Sequence, residues 1–184
     1  MAAGAALVLR APTDALSEPL TLTGGGPVGQ GALRVLAAVQ NHAKVTLSHG
    51  ATLNIDGAAS FLLDSALDGG GALVKLGDGL LRFAGDQANT LTGDIIVNQG
   101  TLELDKSAMD GAVLGNLYIG DGVGADTVRL LRSTQIDYRS AVIMAASGVF
   151  DLNDQKDGIG TIQGEGNVLF GGAGTARLTL NGGA

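Results

Sequence analysis

The chain has 184 residues and a formal net charge of −7, and 45% of its residues are hydrophobic while only 3% are aromatic. Its 31 glycines follow no Gly-X-Y period, and its apolar content is too high for a disordered chain, so collagen and disorder are excluded. The eleven basic residues form no cluster, which argues against nucleic acid and anionic membrane as partners, and the lack of cysteine excludes disulfides and Cys-ligated metals.

The N-terminal stretch 1–10, MAAGAALVLR, lacks the basic region and the long apolar core of a signal peptide. No apolar run anywhere in the chain reaches the ~18 residues that a membrane-spanning helix needs. Segments 29–44 and 105–115 have room for one or two helical turns at most. The sequence therefore predicts very little helix.

Short segments with an apolar period of two extend along the whole chain and are separated by Gly, Asp and Asn. Asp-Gly pairs favour turns, because Asp accepts hydrogen bonds from its own backbone and Gly adopts positive φ. Six such pairs begin at Asp56, Asp68, Asp78, Asp110, Asp121 and Asp157. This pattern predicts an all-β chain of many short strands.

Three segments share one pattern, namely 44–57, 94–105 and 141–154. Each has an alternating strand, a break that contains Gly, and a second alternating strand. A repeat of about 48 residues divides into two turns of about 24, which predicts a stacked solenoid of roughly seven to eight coils. With about 4.8 Å between coils, the rod would be about 35 Å long.

A second alignment places 166–182 on 71–85, which is about two such repeats earlier. It pairs Phe170 with Lys75 and Arg177 with Arg82. Lys75 also falls on the apolar face of its strand. We therefore expect Lys75 at the mouth of a corner, with its stem packed and its ammonium reaching solvent, an Asp or a backbone carbonyl.

Segment 71–104 resembles the passenger-associated repeat of bacterial autotransporters. That repeat has the form G-x-L-x-K-x-G-x-G-x-L-x-L-x-G, followed by Asn-x-Tyr-x-Gly, a strand, Gly and L-x-L. The matching positions are Leu73, Lys75, Gly77, Gly79, Leu81, Phe83, Gly85, Asn89, Gly93, Gly100, Leu102 and Leu104, with Leu91 in place of the Tyr. Segment 148–170 is similar to the continuation of the family pattern.

The resemblance implies a right-handed parallel β-helix in the secreted passenger of a type V secretion system, a class associated with adhesion and virulence. It implies one β-helix domain over residues 1–184, as an excerpt of a longer passenger, with 1–30 forming an N-terminal cap or the first coil. It also implies a C-terminal outer-membrane β-barrel in the parent protein and a location that is secreted or at the bacterial cell surface, attached through a region absent from this chain.

Three segments resemble ligand-binding motifs, one for phosphate and two for calcium, and each is also consistent with a turn. Gly77-Asp78-Gly79 precedes an alternating strand, whereas a phosphate-binding glycine loop needs a helix after it, so a corner is the better interpretation. Segment 120–128 matches one calcium β-roll nonapeptide, but no adjacent copy follows it. Segment 151–158 resembles a calcium-binding loop in its acidic residues, but Lys156 stands at the position of the invariant Gly of an EF-hand.

Catalytic chemistry has few candidates. The only histidines are His42 and His49, and Ser48 lies beside the second without a nucleophile motif. The acid pairs Asp151/Asp154 and Asp121/Asp126 are local turn acids. We therefore expect no catalytic, cofactor-binding or metal-binding residue, no cofactor and no enzyme activity. Arg82 and Arg177, with Arg129 and Arg132, are interpreted as a solvated ladder, with a binding stripe as the alternative.

The sequence thus favours a structural stalk that displays adhesive or effector regions. A binding module for glycans or a host protein is the second hypothesis, with partners on host or neighbouring cells, and a β-helical polysaccharide-active enzyme is the third. Coil ends carry unpaired strand edges, so end-to-end self-association is also expected.

Overall fold

The computed structural model describes residues 4–10 and 12–182, and every regular element in that part is a β-strand, which confirms the all-β prediction. The expected domain range of 1–184 and cap of 1–30 include residues 1–3, 11 and 183–184, which lie outside the described residues. Within residues 4–10 and 12–182 no helical segment has the length and hydrophobicity to span a bilayer.

The strands are β1 (Leu7–Leu9), β2 (Thr13–Leu16), β3 (Leu20–Gly24), β4 (Leu33–Val35), β5 (Ala38–Asn41), β6 (Val45–Ile55), β7 (Ser60–Leu63), β8 (Leu67–Gly69), β9 (Leu73–Leu76), β10 (Leu80–Phe83), β11 (Thr90–Leu91), β12 (Ile95–Val97), β13 (Gly100–Leu104), β14 (Leu117–Ile119), β15 (Asp126–Leu130), β16 (Ala141–Met144), β17 (Gly148–Asp151), β18 (Lys156–Ile159), β19 (Thr161–Gly164), β20 (Asn167–Leu169) and β21 (Arg177–Leu180).

All strand pairs are parallel, and successive strands of the chain lie on different sides of a three-sided coil. Face 1 is the ladder β1-β4-β6-β9-β12-β14-β16-β19, and face 2 is the ladder β2-β5-β7-β10-β13-β15-β17-β20. Face 3 is less regular and contains β3, the first half of β6, β8, β11, β18 and β21. The chain completes about eight coils, which confirms the predicted solenoid. The right-handed sense stays a prediction.

Strand β6 shows how a coil turns into the next one. Its first half pairs with β3 and β8 on face 3, and its second half pairs with β4 and β9 on face 1. The bend between the halves is at Gly50, whose φ of 87° belongs to the left-handed region that glycine adopts most readily.

The length of a coil varies along the rod. Leu73 pairs with Ile95, and Ile95 pairs in turn with Leu117, so these two coils are equal in length and slightly shorter than the sequence predicts. The coil that separates Leu7 from Leu33 is longer, and the one that separates Val149 from Asn167 is shorter. The strands keep register while corner loops take up the difference in length.

The strand register corrects two of the sequence alignments. Segments 94–105 and 141–154 do lie in equivalent places, but 44–57 covers face 3 and then face 1. Lys75 lies on face 1 whereas Phe170 follows the last strand of face 2, so these two residues are not equivalent. Arg82 and Arg177 are likewise on faces 2 and 3. The cause is that all three sides of a coil share the strand–Gly–strand pattern, so an alignment can slip by one side.

The interior is a thin aliphatic layer to which each strand contributes alternate residues. On face 2, one inward position is followed through seven coils by Val39, Phe61, Leu81, Leu102, Val128, Phe150 and Val168. Each phenylalanine in this column lies between aliphatic neighbours. At the last coil Leu180 is in register with the fully buried Ile159 yet is 55% exposed, so the interior is open at that end.

Phe83→Ala removes a fully buried ring from β10 and should lower the free energy of unfolding by about 3–5 kcal/mol, because the thin layer cannot collapse around the void. Leu80→Ala, on the outer side of the same strand, is the matched control and should cost about 1 kcal/mol or less. Urea unfolding followed by circular dichroism measures both variants. Equal losses for the two would contradict the assigned inside and outside of β10.

Candidate functional site

The described surface carries shallow depressions. One shallow depression of about 240 Å³ lies on face 2 beside Ser60 and Arg82, and another of about 270 Å³ lies on face 3 beside Lys156 and Arg177. Within residues 4–10 and 12–182 there is no group of three His, Asp or Glu side chains arranged to hold a metal ion.

The Gly77-Asp78-Gly79 motif forms the corner between β9 and β10, as predicted. A Cβ on Gly77 would lie 2.2 Å from the carbonyl oxygen of Ile55, and one on Gly79 would lie 2.6 Å from that of Ala59. Both neighbours belong to the coil below. The glycines are therefore required by close stacking of coils.

The acids of the two calcium-like segments bind protein groups. The Asp121 carboxylate accepts the Val123 N–H at 2.9 Å, and buried Asp126 accepts the Ser147 hydroxyl at 2.7 Å. Asp154 accepts the N–H groups of Gly172 (3.1 Å) and Ala173 (2.8 Å), which lowers the pKa of its carboxyl group. These contacts fasten a coil to its own turn or to the next coil.

The two histidines lie at different corners. His42 follows β5 at the corner between faces 2 and 3, and its Nδ1 lies 3.0 Å from the Asp64 carboxylate one coil on. His49 lies in β6 beside the bend at Gly50, at the corner between faces 3 and 1. The fold therefore does not bring His42 together with Ser48 or His49 as a catalytic group.

A buried polar group, the ammonium of Lys75, lies at the corner between faces 1 and 2. Lys75 is fully buried, and its Nζ donates to the carbonyl oxygens of Gly77 (2.8 Å) and Gln99 (2.7 Å). Burial lowers the pKa of this lysine to about 8, although the carboxylates of Asp78 and Asp126 act in the opposite direction. The expected packed stem and carbonyl partner are confirmed, whereas the expected position at the mouth is wrong because the side chain has no contact with solvent.

A longer buried polar column lies at the corner between faces 2 and 3 and is formed by Asn89, Lys106, Gln135 and Asp157. The Asn89 side chain accepts the Leu67 N–H at 2.9 Å from one neighbouring coil and donates to the Ala112 carbonyl at 2.9 Å in the other. One asparagine therefore satisfies backbone groups of the coils on both sides of it.

The upper part of this column continues the same bonding with other residue types. Gln135 accepts the Lys106 N–H at 2.7 Å and donates to the Lys106 carbonyl at 2.9 Å. Asp157 in turn accepts the Gln135 N–H at 2.9 Å. Burial is the main cause that raises the pKa of Asp157 to about 6.

Lys106 makes the longest-range contact of the column. Its Nζ donates to the carbonyl oxygen of Ser65 at 2.8 Å, and Ser65 belongs to a corner two coils away. Burial lowers the pKa of Lys106 to about 8, against the opposing effect of Asp64 and Asp86. Within the described residues every buried side-chain nitrogen and oxygen has a hydrogen-bond partner.

Sequence reasoning did not single out Lys106 or Gln135, and it treated Asp157 as the first residue of an Asp-Gly turn, whereas the structure places Asp157 in β18. The interval from Lys106 to Gln135 is longer than those on either side of it in the column, because the corner loops differ in length. A polar residue shortly after each face 2 strand was the available signal, but its irregular spacing hides it among ordinary turn residues.

The outer side of face 2 carries a ladder of alternating charge, formed by Arg82, Glu103, Arg129 and Asp151 in register. The Arg82 Nε lies 2.7 Å from the Glu103 carboxylate, and the Arg129 Nε lies 2.8 Å from that of Asp151. The side chain of Glu103 is only 11% exposed because arginines lie above and below it.

Three further ion pairs also join neighbouring coils, namely Arg34–Asp56, Lys44–Asp68 and Arg132–Asp105. The predicted ladder is thus present at Arg82 and Arg129, while Arg132 lies just beyond β15 and pairs with Asp105 outside the ladder. Arg177 is separate from it, since its Nε contacts the Thr179 hydroxyl at 3.3 Å on face 3.

Glu103→Gln should lower the free energy of unfolding by about 1 kcal/mol, because Arg82 loses the carboxylate that it binds. The wild-type protein should lose stability between 0.1 and 1 M NaCl, and the variant should lose less. Glu165→Gln, at an exposed position without an ion pair in the described part of the chain, is the control. An identical salt dependence in the wild-type protein and in Glu103→Gln would refute the ladder's contribution to stability.

Lys106→Met should flatten the dependence of stability on pH. Between pH 8 and 10.5 the unfolded chain binds a proton at Lys106 that the folded protein does not, so stability rises with pH in this window. The variant should lose about half of the rise, since Lys75 contributes similarly. Thermal unfolding from pH 7 to 10.5 measures it, with Lys156→Met at an exposed lysine as the control. If the slope of stability against pH is unchanged in Lys106→Met, Lys106 is not a buried lysine that loses its proton in the folded protein.

The comparison with known proteins finds similarity to a very large adhesin. The chain is 37% identical over 90 residues to the adhesin BmaC autotransporter of Brucella suis biovar 1 (strain 1330). The match covers 49% of this chain and 2% of the adhesin. No family model and no solved structure matches the chain. Similarity to a segment of an autotransporter adhesin, together with the parallel β-solenoid fold, confirms the resemblance of this chain to autotransporter passengers.

Proposed function

We propose that this chain is a stalk segment in the passenger of a secreted or cell-surface autotransporter, where it holds adhesive or effector regions away from the cell. The observation that carries the proposal is the direction of its interactions. Strand pairing, both buried polar corners and the ion pairs all join one coil to a neighbouring coil along the axis. Such bonding resists bending and local opening, as a spacer requires.

The small share of the adhesin that is matched favours a stalk role for this chain. This chain spans 2% of the adhesin that it resembles, so its coils correspond to a small section of a far longer passenger. With about 4.8 Å per coil, eight coils extend a rod by about 38 Å. A repeated section with few projecting loops suits spacing and display.

A binding module is the second candidate, and the relative's name as an adhesin favours it. Tyr138 is 46% exposed at a corner, and the Arg139 guanidinium lies 4.5 Å from the centre of its ring. An exposed aromatic ring beside a cation is a common contact for a sugar or a host protein. We propose no enzyme activity, since the acids of the turns bind protein backbone and hydroxyl groups.

End-to-end association stays a proposal. It is supported by the free edges of the last three strands and by the exposure of Leu180 and Phe170 at that end. This contact would be made by backbone edges and interior leucines, both of which another coil can cover.

The stalk proposal predicts that native protein resists trypsin over the part that holds Lys75 and Lys106, because both side chains are buried. Lys75 lies in β9, and Lys106 directly follows β13, and both of these strands are paired on both sides. Digestion in the presence and absence of EDTA, followed by mass spectrometry, should yield the same resistant fragment. Rapid cleavage at either lysine, or a chelator effect, would contradict the rigid metal-independent stalk.

Saturable micromolar binding to a glycan panel, lost in Tyr138→Ala, would instead support the binding module.

A further inference from the structure

The outer side of face 1 differs chemically from the outer side of face 2. Its central position is occupied in four successive coils by Val74, Ile96, Tyr118 and Ile143, which the register places directly above one another. We call these four residues the apolar stripe. All four are half-buried, and their strand neighbours Leu73, Ile95, Leu117 and Val142 point into the core.

The core does not require these apolar residues. Side chains alternate across a strand, so the stripe faces outward and lies outside the cluster of residues that pack in the interior. In the same four coils the outward positions of face 2 carry Arg82, Glu103, Arg129 and Asp151. A sheet with one side in water usually alternates polar residues outward, as face 2 does. Face 1 departs from that pattern in coil after coil.

The margins of the stripe are also largely uncharged. The neighbouring outward residues are Leu76, Asn98, Asn116, Ala141 and Ala145. The charge beside it is that of Asp94, whose carboxylate already accepts the Asn116 N–H at 3.0 Å. Two other charged residues lie on the outer side of face 1. Arg34 is in a coil before the stripe, and Glu165 is in a coil after it.

We propose that the apolar stripe is a lateral contact between two copies of this chain, which pack face 1 against face 1. Each copy carries a net charge of −7, so two copies repel, and the repulsion is weakest when they meet on a surface without charge. Most ion pairs lie on faces 2 and 3, and the one on face 1, Arg34–Asp56, belongs to coils before the stripe, so the four coils of the stripe are the uncharged alternative. The same stripe on both copies makes the contact self-complementary, as a two-fold interface requires.

The geometry of the stripe suits sheet-on-sheet packing. Its strands are parallel and in register through all four coils, and no stripe residue changes side. Two such sheets pack about 10 Å apart with their side chains interdigitated. Tyr118 adds a ring with a hydroxyl group, which can stay hydrogen-bonded at the edge of such a contact.

The size of the stripe sets the strength of the contact. Four coils offer roughly 300 Å² per copy, whereas a stable dimer needs about 800 Å² per partner. A single pair of chains therefore associates weakly and dissociates quickly. This inference is independent of the stalk role, since a stalk and a binding module can both carry a lateral contact.

Cysteine cross-linking tests the proposal directly, because the chain has no native cysteine. Ile96→Cys and Tyr118→Cys place a thiol on the stripe, Thr127→Cys places one on face 2, and Leu180→Cys places one at the open end. Under mild oxidation at about 0.5 mM protein, at least one stripe variant should form disulfide-linked dimers at least tenfold faster than Thr127→Cys. Cross-linking at Leu180 alone would assign association to the ends and overturn the lateral proposal.

The second measurement is sedimentation velocity of the wild-type protein and of two double lysine variants that contain no cysteine. The wild-type protein should show a concentration-dependent monomer–dimer equilibrium that strengthens with added NaCl, because salt screens the repulsion of two acidic chains. Ile96→Lys combined with Ile143→Lys should abolish the dimer, while Thr101→Lys combined with Thr127→Lys on face 2 should retain it. Circular dichroism establishes that both are folded. A wild type that stays monomeric at about 1 mM, or equal dimerisation of the two variants, would refute the contact.

Discussion

Parallel pairing in register between successive coils is the constraint on which the rest of this molecule depends. Once Ile95 lies above Leu73 and Leu117 lies above Ile95, every other residue of those strands has a fixed neighbour above and below. Side chains are then arranged in columns along the axis. An aliphatic column forms the interior, a charged column forms on face 2, and polar columns form at the corners.

The corners are where this constraint is most demanding, because the chain must leave the sheet and its backbone groups lose their ladder partners. The protein answers with buried side chains that bind backbone: Asn89 bridges the coils on both sides of it, and Lys75 donates to two carbonyls. Burying two lysines and Asp157 is costly, as their shifted pKa values indicate. Full hydrogen bonding offsets much of that cost and leaves one acceptable stacking of the coils.

The sequence determined the class of fold well because period-two alternation and Asp-Gly turns report strands directly. It predicted the corner role of Gly77 and Gly79 and the apolar side of the strand for Lys75 for the same reason, although it placed Lys75 at the mouth of the corner and not in the interior. It failed where equivalence between coils had to be assigned, since the three sides of a coil look alike and Phe170 was matched to Lys75 across different faces. The column of Lys106, Gln135 and Asp157 was missed because loops of unequal length place its members at irregular intervals. Which face is apolar outside became visible only with the strand register.

The contact from Lys106 to Ser65 has a consequence for how the rod behaves as a chain of units. In a simple stack each coil senses only its immediate neighbours, and opening can stop at any boundary. A bond that skips one coil adds coupling between second neighbours, so the coils that contain β7, β10 and β13 are favoured to open and close together. Folding that proceeds from the N-terminal end completes the contacts of the β7 coil only when the β13 coil is in place. This coupling favours the middle of the rod as a cooperative block, with opening easiest at the ends.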